Sequence, residues 1–235
     1  MTAAFYNFEP AMVAQAIPVS WEVVDPAELA AIRADAGARA IADYADPAGI
    51  DGLEKVLPLL RQAAQAAPMA GRPLAAANRA LWPAIERQVN GEHRVLAEAW
   101  QACTTLREHR GDGHVAALVS RGLSGLEAHL LVVGCEDVPV ETLRDNRGWS
   151  EAQWLDALTH LVARGLLQSD GVATPAGQAR RRDVEALTDD LAEIPLAVLS
   201  SGERAELFNA LRQCAEAIQH SGLYPFPNPM GLPRI

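Results

Sequence analysis

The sequence predicts a mainly α protein, and three observations carry that prediction. Hydrophobic residues make up 49% of the chain but aromatic residues only 5%. That balance, rich in alanine, suits close-packed helices better than a β-sandwich built from β-branched and aromatic strands. Apolar residues recur at helical spacing along most of the chain. Helix start and stop signals recur with them, most completely around Ser150, Gln153 and Gly165. At 235 residues the chain can bury one large core or two small ones. The expected organisation is an N-terminal helical region over 1–90, a helical hairpin over 91–136, a compact module over 137–193, and a C-terminal helix with a Pro-rich ordered tail over 194–235.

In the first region Asp25 reads as an N-cap and Pro26 as the first helical residue, opening a helix with Leu29, Ile32, Ala36, Ala40 and Tyr44 on one face. Leu53, Val56, Leu57 and Leu60 have helical spacing, with a kink or a late start expected at Pro58. Pro68, Pro73 and Pro83 are expected to cut the remainder of this region into short pieces. A long amphipathic helix is expected from about residue 92 to His109, stopped by Gly111 and Gly113, and a second from His114 to about Arg121. Ser124 and Glu127 have capping-box spacing and open a third, whose apolar run ends at Gly134.

The module over 137–193 has the most explicit pattern. "VPVETLRDNRG" reads as a short helix. In "WSEAQWLDALTHLVARG" Ser150 caps, Gln153 completes the box, Trp149 and Trp154 occupy the two staple positions, and Gly165 terminates. "LLQSDGVATPAGQA" then reads as two short extended pairs about an Asp170-Gly171 turn, followed by a helix opening at Thr174-Pro175. Helix, helix, two-stranded wing, helix is the order of a winged helix-turn-helix.

The stretch "WLDALTHLVARGLLQSDGVATPAGQA" resembles the recognition helix, wing and following helix of MarR-type regulators. The stretches "FYNF", "REHRGDGHVAAL", "RGWS", "ATPAG" and "PFPNPMGLP" together resemble an actinobacterial family of winged-helix-like proteins without an assigned activity. That resemblance spans most of the chain. Its relatives carry a further helical segment ahead of "FYNF", so a pocket lined by that segment would here be left open or completed by a partner chain.

Charge argues against a strongly electrostatic DNA reader. The formal net charge is −10, and Lys55 is the sole lysine among 20 basic residues. From Ser150 to Arg164 the charged residues are Glu151, Asp156 and Arg164, a net of −1 (one base minus two acids). Arg144, Arg147, Arg180, Arg181 and Arg182 flank that helix and are the candidate phosphate contacts. From Val138 to Arg182 six arginines minus five acids leave +1, a small footprint for binding DNA. A solvated helix face and a packing or dimerisation module are the alternatives for these residues.

The other candidate site is "REHRGDGH", residues 107–114. Read as a corner between two helices, it brings His109, Asp112 and His114 near one another. A carboxylate beside an imidazole supports acid–base chemistry near neutral pH. Arg107 and Arg110, with Glu108, would contact a polar ligand, since a guanidinium offers a bidentate fork. Trp100 would line the cavity. The competing reading is structural: helix-terminal His and Arg beside exposed carbonyls, and Asp112 as a cap. The five-residue separation of His109 and His114 is not that of a helical zinc pair, so no metal is expected, and no cofactor fingerprint is present.

Three functional readings emerge. The chain binds a small polar ligand through the 107–114 turn on a winged-helix scaffold; or it is a MarR-like DNA-binding regulator; or it is an enzyme of small-molecule metabolism using His109, Asp112 and His114. A homodimer is the expected assembly. Phe5, Tyr6 and Phe8, with the apolar Pro-rich tail, would close one side of a pocket or seal that dimer. Cys103, Cys135 and Cys214 are odd in number and widely separated. With no secretory signal and no apolar run of membrane-spanning length, a reducing cytoplasmic setting is expected.

Overall fold

The computed structural model describes residues 5–45, 47–89, 91–136, 138–222, 226 and 234. Among these residues ten α-helices succeed one another: α1 (Pro10–Val23), α2 (Pro26–Tyr44), α3 (Pro47–Ala66), α4 (Pro73–Gln88), α5 (Arg94–Ser120), α6 (Gly125–Cys135), α7 (Val140–Arg144), α8 (Glu151–Ala163), α9 (Pro175–Glu193) and α10 (Ser201–His220). Five of them open on a proline, whose missing N–H costs nothing in a first turn. Most of the C-terminal tail, 223–225 and 227–233, lies outside the described residues. The chain forms two compact units: residues 20–112 with 192–226, and residues 5–19 with 113–191.

The first unit is helical throughout. α3 packs on α10 and α2 on α4. Val56, Leu57, Leu60, Trp82 and Leu207 fill one apolar cluster, and Ala34, Ala38, Leu53, Ile85 and Leu96 another. Small residues let the helices approach closely. A Cβ on Gly37 of α2 would lie 2.6 Å from the Trp100 ring, so the indole of α5 occupies the space that a side chain would need.

Pro68 and Pro73 separate α3 from α4 as expected, but α3 starts well before Pro58 and runs through it, and α4 runs through Pro83. An interior proline costs about 3 kcal/mol. Here each ring is exposed and the buried residues beside it, Val56, Leu57 and Leu60 or Trp82, Ala84 and Ile85, hold the helix in place.

The charged stretch 107–114 is not a turn either. α5 continues through Gly111 and Gly113, both with φ outside the left-handed region. Two interior glycines cost about 1 kcal/mol each relative to alanine. Buried contacts by His109 before them, by Asp112 between them, and by Ala117 and Leu118 after them outweigh that cost.

The second unit is built by α6, α7, α8 and α9 around Leu126, Leu130, Leu131, Leu143, Trp154, Leu161, Leu167 and Val184. Its boundary signals behave as the sequence predicts. Ser124 and Ser150 each form a complete capping box, with Glu127 and Gln153. Thr174 accepts from Gly177 N–H at the head of α9. α7 leads through a 3₁₀ turn over Asp145–Arg147 and a left-handed Gly148 (φ 77°) into α8. The order is helix, turn, helix.

The expected two-stranded wing is absent: no strand occurs among the described residues, and residues 166–174 make a single antiparallel bridge, Leu167 to Ala173. The arms exchange only Gln168 N–H to Val172 O (2.8 Å) and Thr174 N–H to Leu166 O (3.1 Å), too few to extend a ladder, and they are also tied to their surroundings. Ala173 N–H donates to Gly134 O of α6 (2.9 Å), and the Thr174 hydroxyl to Gly165 O (2.7 Å). The segment is a turn clamped between α6 and α9. Two glycines allow the clamp: a Cβ on Gly134 would sit 2.6 Å from Gly171 O, and one on Gly177 would sit 2.0 Å from Leu166 O. Gly177→Ala is therefore expected to destabilise the protein by about 1–3 kcal/mol, as overpacking against backbone does. Urea unfolding measures this, and Gln178→Ala, one residue along at an exposed site, is the control.

Candidate functional site

The residues expected to form a site at 107–114 do not converge. On one continuous helix, His114 lies roughly 140° around the axis from His109. His114 Nδ1 sits 3.0 Å from Thr188 Oγ1 and 3.8 Å from Glu185 Oε1, both on α9. Asp112 is buried, and its Oδ2 accepts from the Leu74 and Ala75 N–H groups, both at 3.0 Å. It thus caps the first turn of α4, whose own N-cap residue, Arg72, makes no side-chain cap. Burial raises the Asp112 carboxyl above its usual range against the pull of these two donors and of Arg72. Arg107 is exposed and paired with Glu108 at 2.6 Å, Arg110 is exposed, and Trp100 is partly exposed above Gly37.

His109 is fully buried at 0% exposure, and neither ring nitrogen has a hydrogen-bond partner among the described residues. Its backbone carbonyl accepts from Arg72 Nη1 at 2.8 Å. Burial, and then the Arg72 charge, lower its pKa and keep the ring neutral. An unpaired buried polar group costs about 1–3 kcal/mol. His109→Leu, close in volume and without polar atoms, is expected to raise the thermal midpoint, measured by calorimetry.

A different constellation lies in the unit containing the helix-turn-helix. A cavity of about 770 Å³ is lined by Phe5, Tyr6, Phe8, Pro10 and Val13 from the N-terminal segment, by Ser124, Gly125, Leu126 and Glu127 from the head of α6, and by Trp149, Gln153, Asp156, Ala157 and His160 along α8. Phe5, Tyr6 and Phe8 line this cavity opposite α6 and α8, while most of the Pro-rich tail expected beside them lies outside the described residues. Tyr6 Oη donates to Leu123 O at 2.6 Å and Trp149 Nε1 to Asn7 O at 3.0 Å. His129 Nε2 lies 3.1 Å from the same Asn7 O. Arg147 lies over the Phe8 ring, 4.4 Å from its centroid, and Glu9 N–H donates to Arg147 O. Gly125 makes this approach possible, since a Cβ there would fall 1.9 Å from Tyr6 O.

The floor of the cavity is organised by Glu127, 5% exposed. Its carboxylate accepts from Ser124 N–H (2.8 Å), from His160 Nδ1 (2.7 Å) and from Arg164 Nη1 (2.9 Å). Burial alone would raise its pKa. The Ser124 donors, His160 and Arg164 together overcome that and hold it below the usual carboxylate range. These site residues carried little sequence signal: Glu127 read as a capping residue and Trp149 as a staple. Both readings are locally correct, and only packing joins them to His160.

The candidate DNA-contacting arginines are largely engaged within the protein. Arg144 pairs with Asp145 at 2.7 Å, Arg180 donates to Arg121 O at 2.9 Å, and Arg181 pairs with Glu136 and Glu185. Arg147 covers Phe8, and Arg182 is exposed on α9. Among the described residues no group of three His, Cys, Asp or Glu is placed to hold a metal ion, and no single helix is long and apolar enough to cross a membrane.

The sequence pattern of a helix-turn-helix family matches residues 1–225, and the chain belongs to that family. Neither a curated protein nor a solved structure matches it.

Acid should weaken this unit. His129, 6% exposed, has its pKa lowered to about 4, chiefly by burial and then by the Arg147 charge. The unfolded chain binds a proton near 6.5 and the folded one does not. The His129 contribution is therefore complete above about 6.5 and lost as pH falls towards 4. The depressed Glu127 carboxyl acts in the same sense at lower pH. Unfolding free energy is expected to fall by about 3 kcal/mol between pH 7 and 4 from His129 alone. His129→Gln, which retains a donor for Asn7 O, should flatten that dependence in urea titrations.

Proposed function

We propose that this protein is a ligand-responsive DNA-binding regulator of the helix-turn-helix class. One observation carries the proposal: α8, the second helix of the helix-turn-helix, is also a wall of the cavity. Gln153, Asp156, Ala157 and His160 line the cavity, whereas Glu151, Ala152, Leu155 and Thr159 form its exposed remainder. A molecule entering the cavity would press on the same helix that faces DNA, the kind of shared element through which a ligand biases a second site. Membership of a helix-turn-helix family supports the DNA half of the reading.

The exposed strip of α8 suits apolar contact with thymine methyl groups more than hydrogen-bonded readout of guanine, for which arginine or lysine would serve. Phosphate contact falls to the flank of α8, with the exposed Arg182 as the candidate. So few cations imply a small counterion release and a shallow salt dependence. A second reading, a small-molecule-binding protein that uses the helix-turn-helix as a packing scaffold, is favoured by the internal pairing of Arg144 and Arg181 and by the acidic α8.

Selection from a random duplex library at low salt, followed by binding measured against salt concentration, separates the two. The regulator is expected to enrich a sequence motif. Arg182→Ala should weaken binding to all sequences alike and lower the log–log salt slope by about one. If no duplex is retained at low salt, the second reading stands instead.

A further inference from the structure

The chemistry of the cavity specifies its ligand, on the reading that the cavity is a ligand site. We propose that it takes a flat aromatic molecule carrying a protonated amine, and that it discriminates against aromatic anions.

The walls argue for the ring. Phe5 and Phe8 meet edge to face with centroids 5.7 Å apart, and Tyr6 and Trp149 complete an aromatic lining. The hydroxyl of Tyr6 and the indole N–H of Trp149 already donate to backbone carbonyls, at 2.6 and 3.0 Å. What these two side chains have left to offer is π surface, which stacks on flat rings and attracts cations. A volume of about 770 Å³ falls within the range of small-molecule sites.

The polar edge argues for the amine. Glu127 accepts from Ser124, His160 and Arg164, so its charge is countered within the protein. His160, on the cavity face of α8, is engaged with Glu127 through Nδ1 at 2.7 Å. Asp156 lies one turn earlier on the same face of α8, and its carboxylate makes no hydrogen bond or ion pair among the described residues. A carboxylate without a partner beside an aromatic lining matches a group with several N–H donors and a positive charge. Two cations that touch lining residues, Arg164 and Arg147, are held on Glu127 and over Phe8. The net charge of −10 on the whole chain repels anions further.

The test uses one skeleton with three head groups: 2-(aminomethyl)naphthalene, 2-naphthalenemethanol and 2-naphthoate, titrated calorimetrically into the full chain. The amine is expected to bind on the order of tenfold more tightly than the carboxylate, with the alcohol between them. Asp156→Asn, at an exposed position, should remove most of the preference of amine over alcohol. Equal binding of amine and carboxylate, or the same preference in Asp156→Asn, overturns the proposed ligand class and leaves the cavity as a binding site. If none of the three binds at millimolar concentration, it is the reading of the cavity as a ligand site that fails.

Discussion

The buried carboxylate of Glu127 is the interaction on which the helix-turn-helix unit depends. It closes the capping box of α6, accepts from His160 and Arg164 at the far end of α8, and so fixes the two helices relative to one another. A lone buried carboxylate would be expelled or protonated. Three donors keep this one ionised, and removing any of them leaves a charge in a poorly solvated place. Because the same side chain floors the cavity, the group that orients α8 is also the group that sets the cavity's shape and polarity.

The N-terminal segment shows how a close approach is built from small residues and a few polar anchors. Gly125 leaves room for the Tyr6 carbonyl, Tyr6 and Trp149 hydrogen-bond across the seam, and Arg147 covers Phe8. Gly134 and Gly177 play the same part for the 166–174 turn. In both places a glycine that looks like a weak point in a helix is instead the position where a second stretch of backbone passes within van der Waals range. Gly111 and Gly113 are the contrary case: the sequence places a break at them, yet α5 continues because neighbouring residues on both sides are buried.

Much of the fold was legible because its signals are local. Ser124 with Glu127, Ser150 with Gln153 and Thr174 before Pro175 are helix starts whose donors and acceptors lie within four residues, and each forms as read. The site was less legible. His109 and Asp112 drew attention as a charged cluster, but one is an unpartnered core ring and the other caps α4 from a distance. Phe5, Tyr6 and Phe8 were visible as an aromatic group in need of cover. That α6 and α8 supply it, through Gly125, Glu127 and His160, depends on contacts over more than a hundred positions of sequence.

By itself the sequence determined the helical class, the capped helices of the 137–193 module and the acidic balance that limits phosphate binding. These come from composition, period and capping chemistry, which act over one or two turns. The tertiary structure alone decided that α5 is continuous, that the expected wing is a clamped turn with one bridge, and that a cavity forms between the N-terminal segment and the helix-turn-helix. The physical reason is common to all three. Breaking a helix at glycine, or extending a strand pair, is worth only about a kilocalorie per residue. Burying side chains such as Leu118, Leu161 and Leu167 is worth about 1.5–3 kcal/mol apiece and prevails where the two conflict.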